Sequence, residues 1–131
     1  MKAEYLTLEE VIAIHEEMIE VGGGRPGIRD FLLLHSALER PKATFAGQLL
    51  YPTIFSQAAA LMHSLVRNHP FEDGNKRTAL FSVMRFLGKN GYRLSAPDEE
   101  LVEFPLKVET QRLGVEEIAA WLKKHSKRIW R

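Results

Sequence analysis

Apolar side chains recur three and four residues apart along most of the chain, and this spacing predicts helices rather than strands. Leu8, Val11, Ile12, His15, Met18 and Ile19 fall on one stripe, which predicts an amphipathic helix over residues 8–21. Thr7 is its N-cap, with Glu10 as the capping-box partner three residues on. The run Gly22-Gly23-Gly24-Arg25-Pro26-Gly27 ends that helix in a loop. Its glycines follow a helix and not a strand, so the GxGxxG nucleotide-loop reading does not apply. Ile28, Phe31, Leu32, Leu34 and Leu38 predict a second helix over 28–40, stopped by Pro41. Residues 41–52 show no helical period.

The strongest pattern is Ile54, Phe55, Ala58, Leu61, Met62 and Leu65, a helix over 53–67 whose alanines allow close approach of a neighbour. Ala79, Leu80, Val83, Met84, Phe86 and Leu87 repeat it over 75–89, closed by Asn90-Gly91. Pro97 opens a helix over 98–112 with acidic residues in its first turn, where the helix dipole favours them. Pro105 inside it predicts a kink or a break. After Gly114, Ile118, Ala119, Trp121 and Leu122 predict a last helix over 115–129. No segment reads as a strand, repeat or linker. The expected fold is all-α, a compact bundle of about six helices.

Composition narrows the class. A chain of 131 residues is expected to form a single domain, 1–131, with a sizeable core. With 45% hydrophobic and 27% charged residues it has the balance of an ordinary soluble protein. The absence of cysteine excludes disulfides and thiolate metal sites. A net charge of +1 points to no polyanionic partner, and the apolar runs are too short to span a bilayer. The N-terminus lacks a signal-peptide pattern, so the expectation is a cytoplasmic protein. Lys123, Lys124, Lys127, Arg128 and Arg131 cluster near the end without an acidic residue among them. A solvated helix end explains them better than direct nucleic-acid binding.

Between the two strongest helices stands His69-Pro70-Phe71-Glu72-Asp73-Gly74-Asn75-Lys76-Arg77. Pro70 ends the preceding helix near Arg67 and makes His69 the first loop residue. His69 is the loop side chain able to take a proton near neutral pH. Phe71 can anchor the loop in the core. Asp73 offers one hard oxygen ligand of the kind Mg²⁺ takes. Gly74 permits close approach, and Asn75 can cap the next helix, whose first N–H groups form an anion site. Lys76 and Arg77 add a point charge and a planar fork for phosphate oxygens. Residue types alone leave two readings open: a phosphate-holding site, or a polar helix–loop–helix turn.

The nine residues resemble the signature of the Fic/Doc family, His-Pro-Phe-x-Asp/Glu-Gly-Asn-x-Arg in its Fic branch. Lys76, just before the final Arg77, resembles the Doc branch, the "death on curing" toxins of toxin–antitoxin pairs, while Pro70 and Gly74 are more Fic-like. The likeness continues through Thr78-Ala79-Leu80 and through Gly27-Ile28-Arg29-Asp30, Leu33-Leu34 and residues 36–41.

The resemblance implies the same helical bundle, with the active loop between two central helices. It implies transfer of a phosphorus group from ATP, with Mg²⁺, to a protein hydroxyl. His69 would be the general base, with Arg77 as a second catalytic group. Asp73 would hold the metal, Gly74, Asn75, Lys76 and Arg77 would bind the phosphates, and Phe71 would anchor the loop. Fic adenylyltransferases have glycine where this chain has Lys76; Doc-type proteins bind the nucleotide in a reversed sense and transfer the γ-phosphoryl group. The implied activity is a Doc-type protein Ser/Thr kinase, with elongation factor Tu as the implied target and translation arrest as the outcome. Pro70 and Gly74 keep AMP transfer as the alternative. Residues 41–52 correspond to a flap that aligns a target segment. No Ser/Thr-x-x-x-Glu-Gly/Asn inhibitory helix is present, so inhibition is expected from another chain, a Phd-like antitoxin. A catalytically silent antitoxin-binding module is the third reading.

Overall fold

The computed structural model describes residues 2–130. Six helices form it: α1 (Leu8–Gly22), α2 (Phe31–Glu39), α3 (Ile54–Asn68), α4 (Asn75–Lys89), α5 (Asp98–Thr110) and α6 (Val115–Lys124). The all-α bundle expected from the periodicity is therefore present. Four short strands accompany it, where the periodicity showed none. β1 (Thr44–Phe45) and β2 (Gln48–Leu49) form an exposed hairpin, and β3 (Tyr92–Leu94) pairs antiparallel with β4 (Ser126–Arg128). Two- and three-residue strands are too short to leave an alternation in the sequence.

The core is built on α3 and α4. Ala58, Ala59 and Ala60 are fully buried on α3, so neighbouring backbones approach closely. Leu61, Met62, Leu65 and Val66 of α3 share one apolar core with Ala79, Val83, Phe86 and Leu87 of α4. Val11 of α1, Leu34 of α2, Phe104 and Val108 of α5, and Ile118 and Leu122 of α6 complete it. Thr7 and Thr53 cap α1 and α3 through capping boxes, with Glu10 and Ser56 as the returning partners.

Several boundaries differ from the periodicity. α2 begins at Phe31, because Ile28 is drawn into a bridge with Phe71 and Asp30 serves as the N-cap. α5 runs through Pro105 without a break. The last helix stops at Lys124, and Ser126–Arg128 turn back as a strand because β3 offers them an unpaired edge. Among the described residues no helix is long and apolar enough to cross a membrane.

Candidate active site

The loop between α3 and α4 is fixed from beneath by two buried side chains. Phe71 is 1% exposed and stacks on the His15 ring of α1 at 3.8 Å between centroids. Asn75 closes a ring of two hydrogen bonds with the Phe71 backbone. Its Oδ1 accepts from the Phe71 N–H at 2.9 Å, and its Nδ2 donates to the Phe71 carbonyl at 3.0 Å. Asn75 is therefore not the helix cap expected from its type. Gly74 takes that position, at φ 72°, and Asn75 begins the helix with its side chain turned inward. His15 donates from Nε2 to the Asp73 carbonyl at 2.8 Å. The backbone is stitched as well: the Pro70 carbonyl accepts from Arg29 and Asp30 N–H, and Glu72 N–H donates to the Gly27 carbonyl.

His69 follows the last residue of α3 in the left-handed region, at φ 48°. Arg29 secures it, donating through Nε to the His69 carbonyl at 2.6 Å and through Nη2 to the Asn68 carbonyl at 2.8 Å. These are carbonyls that a helix end leaves without partners. The imidazole itself points outward, half exposed, and its Nε2 lies 2.9 Å from Oε2 of Glu109 on α5. The other oxygen of that carboxylate, Oε1, accepts from Lys76 Nζ at 3.1 Å. Lys76 and His69, at opposite ends of the loop, thus meet on one carboxylate. The Lys76 hydrogen bond is the main influence on Glu109, and it holds that carboxyl below the usual glutamate range.

Asp73 is exposed. Its Oδ2 accepts from the Arg25 amide at 3.1 Å and its Oδ1 from the Gly74 amide at 3.3 Å. The Arg25 amide above all keeps the carboxyl ionised, below its ordinary range. Arg77 turns the other way. Its Nη1 donates to the Met18 carbonyl at 2.8 Å and its Nη2 to the Gly23 carbonyl at 2.9 Å, so the fork caps the C-terminal end of α1. A β-carbon on Gly22 would fall on Arg77 Nη1, which makes Gly22 the opening through which the guanidinium reaches those carbonyls. A cleft of about 570 Å³ opens beside Lys76 and Arg77, walled by Leu80 and Phe81 of α4 and by Val102, Pro105 and Leu106 of α5.

A sequence model described as the Fic/DOC family matches residues 5–87, more than half of the chain. The chain belongs to the Fic/Doc family. It is 44% identical over 93 residues to a toxin Doc of Mycolicibacterium smegmatis, covering 71% of this chain and 69% of that protein. It is 31% identical over 120 residues to the protein kinase doc of Escherichia phage P1, covering 92% of this chain and 94% of the phage protein. Within the family it stands with the Doc toxins.

In this Fic/Doc chain the loop brings His69, Asp73 and Lys76 to the surface around the first turn of α4, whereas Phe71 and Asn75 are buried beneath them. Four contributors lie outside the motif: Glu109, His15, Arg29 and Arg25, whose amide reaches Asp73 and whose Nη2 donates to the Glu72 carbonyl at 3.3 Å. Arg29 reaches the loop through the His69 and Asn68 carbonyls. Arg40 instead joins Tyr51, His63 and Ser64. No cluster of three or more metal-ligating side chains occurs among the described residues. One exposed, ionised carboxylate fits a Mg²⁺ carried in by nucleotide phosphates, since that ion takes one or two protein carboxylates and keeps waters and phosphate oxygens for the rest.

Proposed function

We propose that the chain is a Doc-type protein kinase that moves the γ-phosphoryl group of ATP to a Ser or Thr hydroxyl of a protein target. The single observation that carries the reading is the shared carboxylate: Lys76 Nζ and His69 Nε2 lie on the two oxygens of one side chain. A terminal phosphate drawn to Lys76 would therefore stand within a carboxylate's width of the imidazole. In the transfer, the target hydroxyl oxygen bonds to the γ-phosphorus while the bond to the β–γ bridging oxygen breaks. ADP leaves, and the hydroxyl proton passes to His69. Proton transfer of this kind contributes roughly 10²–10⁴-fold, and positioning and charge neutralisation supply the rest. Mg²⁺, held by Asp73, would offset charge on the phosphates. Gly74 and the first N–H groups of α4 offer an anion site, and Arg77 adds a cation at the same helix start.

The target implied by family likeness is elongation factor Tu, with translation arrest in the cytoplasm as the result. The partner would be a Phd-like antitoxin from another chain. The carrier domain would be the whole of 1–131.

The test is transfer of label from ATP carrying ³²P at the α or the γ position, with Mg²⁺ and cell extract, beside His69→Ala and His69→Asn variants. Labelling of a protein band from γ alone, lost in both variants, is the expected result. Labelling from α would replace the reading with AMP transfer, which Gly74 and Pro70 favour. An antitoxin-binding protein that labels nothing would return the chain to a binding module.

A further inference from the structure

Glu109 is the one acidic side chain from outside the loop that contacts His69 among the described residues. It sits on the last full turn of α5, and both of its oxygens are committed: Oε2 to His69 and Oε1 to Lys76. The fold does not need these contacts. α5 is held by Phe104 and Val108, which are 3% and 0% exposed, whereas the side chains of Glu109, Lys76 and His69 remain 31%, 39% and 44% exposed. Ion pairs that open to water contribute little to stability. Their consequence falls on the imidazole instead.

A neutral imidazole carries a proton on one nitrogen and a lone pair on the other. A carboxylate can only accept, so its approach to Nε2 places the proton there and leaves the lone pair on Nδ1. Lys76 in turn holds the carboxylate in place and keeps it ionised. An ammonium has three donors, so Lys76 can hold Glu109 and a phosphate oxygen at once.

We infer that Glu109 is a positioning residue, which orients His69 through Nε2 so that Nδ1 receives the proton of the target hydroxyl. The inference rests on the phosphoryl-transfer reading and adds to it a residue that the loop motif does not contain. Glu109 touches neither substrate nor the reacting atoms. It acts through His69, and Lys76 links it to the phosphate side of the site.

Two variants test it, with wild-type protein as reference. Glu109→Ala is expected to lower kcat about ten- to a hundredfold, in line with losing an orienting partner of a functional histidine, while KM for ATP stays within about twofold. Glu109→Gln keeps an oxygen that accepts from Nε2 but loses the charge for Lys76, so its kcat is expected between the two. A readout free of activity is carbethoxylation of His69 by diethyl pyrocarbonate, followed by mass spectrometry. Its rate should rise several-fold in Glu109→Ala, with buried His15 and exposed His35 unchanged as internal standards. Unchanged kcat in Glu109→Ala overturns the inference. So does a higher kcat with tighter ATP binding, which would make Glu109 a competitor of phosphate for Lys76. So does an unchanged rate of carbethoxylation. If wild-type protein transfers no phosphoryl group, the functional reading fails, and the pyrocarbonate comparison still reports the Glu109–His69 contact.

Discussion

The amide of Asn75 ties the loop to the start of α4 through the Phe71 backbone. Asn is a strong helix cap, so its place before an apolar run suggests capping. Gly74, at φ 72°, holds the cap position instead, and the amide of Asn75 serves the Phe71 backbone. Asn75→Ala would leave a buried N–H and a buried carbonyl without partners, at a cost of about 2–4 kcal/mol. A lowered urea midpoint with an unchanged slope would confirm it, and a shift below measurement error would refute it. Arg77→Lys should keep the helical circular-dichroism signal, but one ammonium cannot reproduce a fork that reaches both Met18 and Gly23. The expected result is labelling reduced about tenfold or more with a small loss of stability, since a point charge replaces a planar donor. Near-wild-type labelling would mean that the fork is dispensable. The loop itself is legible in the sequence because nine adjacent residues between two strong helical patterns mark it. Glu109 is not legible, because it lies 33 residues from Lys76 and nothing local marks one glutamate on an acidic helix.

At the scale of elements, the helices follow from their apolar spacing, and two of the departures have tertiary causes. Ile28 leaves a helical pattern to bridge Phe71, and Ser126–Arg128 leave another to pair with β3. Such pairings are settled by a partner far along the chain, which periodicity cannot see. The start of α1 carries a prediction of its own. Glu10 closes the capping box and receives Lys89 at 2.9 Å and Arg85 at 3.3 Å from α4. Burial would raise its carboxyl, but the Thr7 amide, Lys89 and Arg85 outweigh that and hold it at about 2, against 4.5 for a free glutamate. A depressed carboxyl stabilises the fold above its unfolded value and loses that contribution as pH falls through its folded value. Stability from Glu10 is thus complete above about pH 4.5 and fades toward about pH 2. Glu10→Gln should lower Tm at neutral pH by a few degrees, from a loss of about 1 kcal/mol. The difference from wild type should shrink as the melts are taken to acid. A gap of constant size across that range would mean that the charge of Glu10 contributes nothing.

Across the whole molecule, protection should follow the core. α3 and α4 carry alanines that are fully buried, and the loop is suspended between the two helices with its backbone bonded to residues 27–30. The β1–β2 hairpin lies open, with Phe45 77% exposed. Native-state hydrogen exchange should therefore be slowest in α3 and α4 and fastest in residues 44–49, because local opening is easiest where few apolar contacts resist it. The loop amides of Phe71 and Glu72 should exchange with the core rather than with the hairpin. Exchange of those two amides at hairpin rates would show that the loop is not held as the bonding suggests.

The left-handed backbone at His69 has a practical bearing on how an inactive form of the proposed kinase should be made. At φ 48° a β-carbon is crowded, and of the ordinary residues Asn and Asp accept that region most readily after glycine. Alanine removes the imidazole but also strains the joint between α3 and the loop, by about 1 kcal/mol. Asparagine removes it while leaving the joint at ease. For trapping the target of the proposed transfer, Asn at position 69 is the better silent substitute.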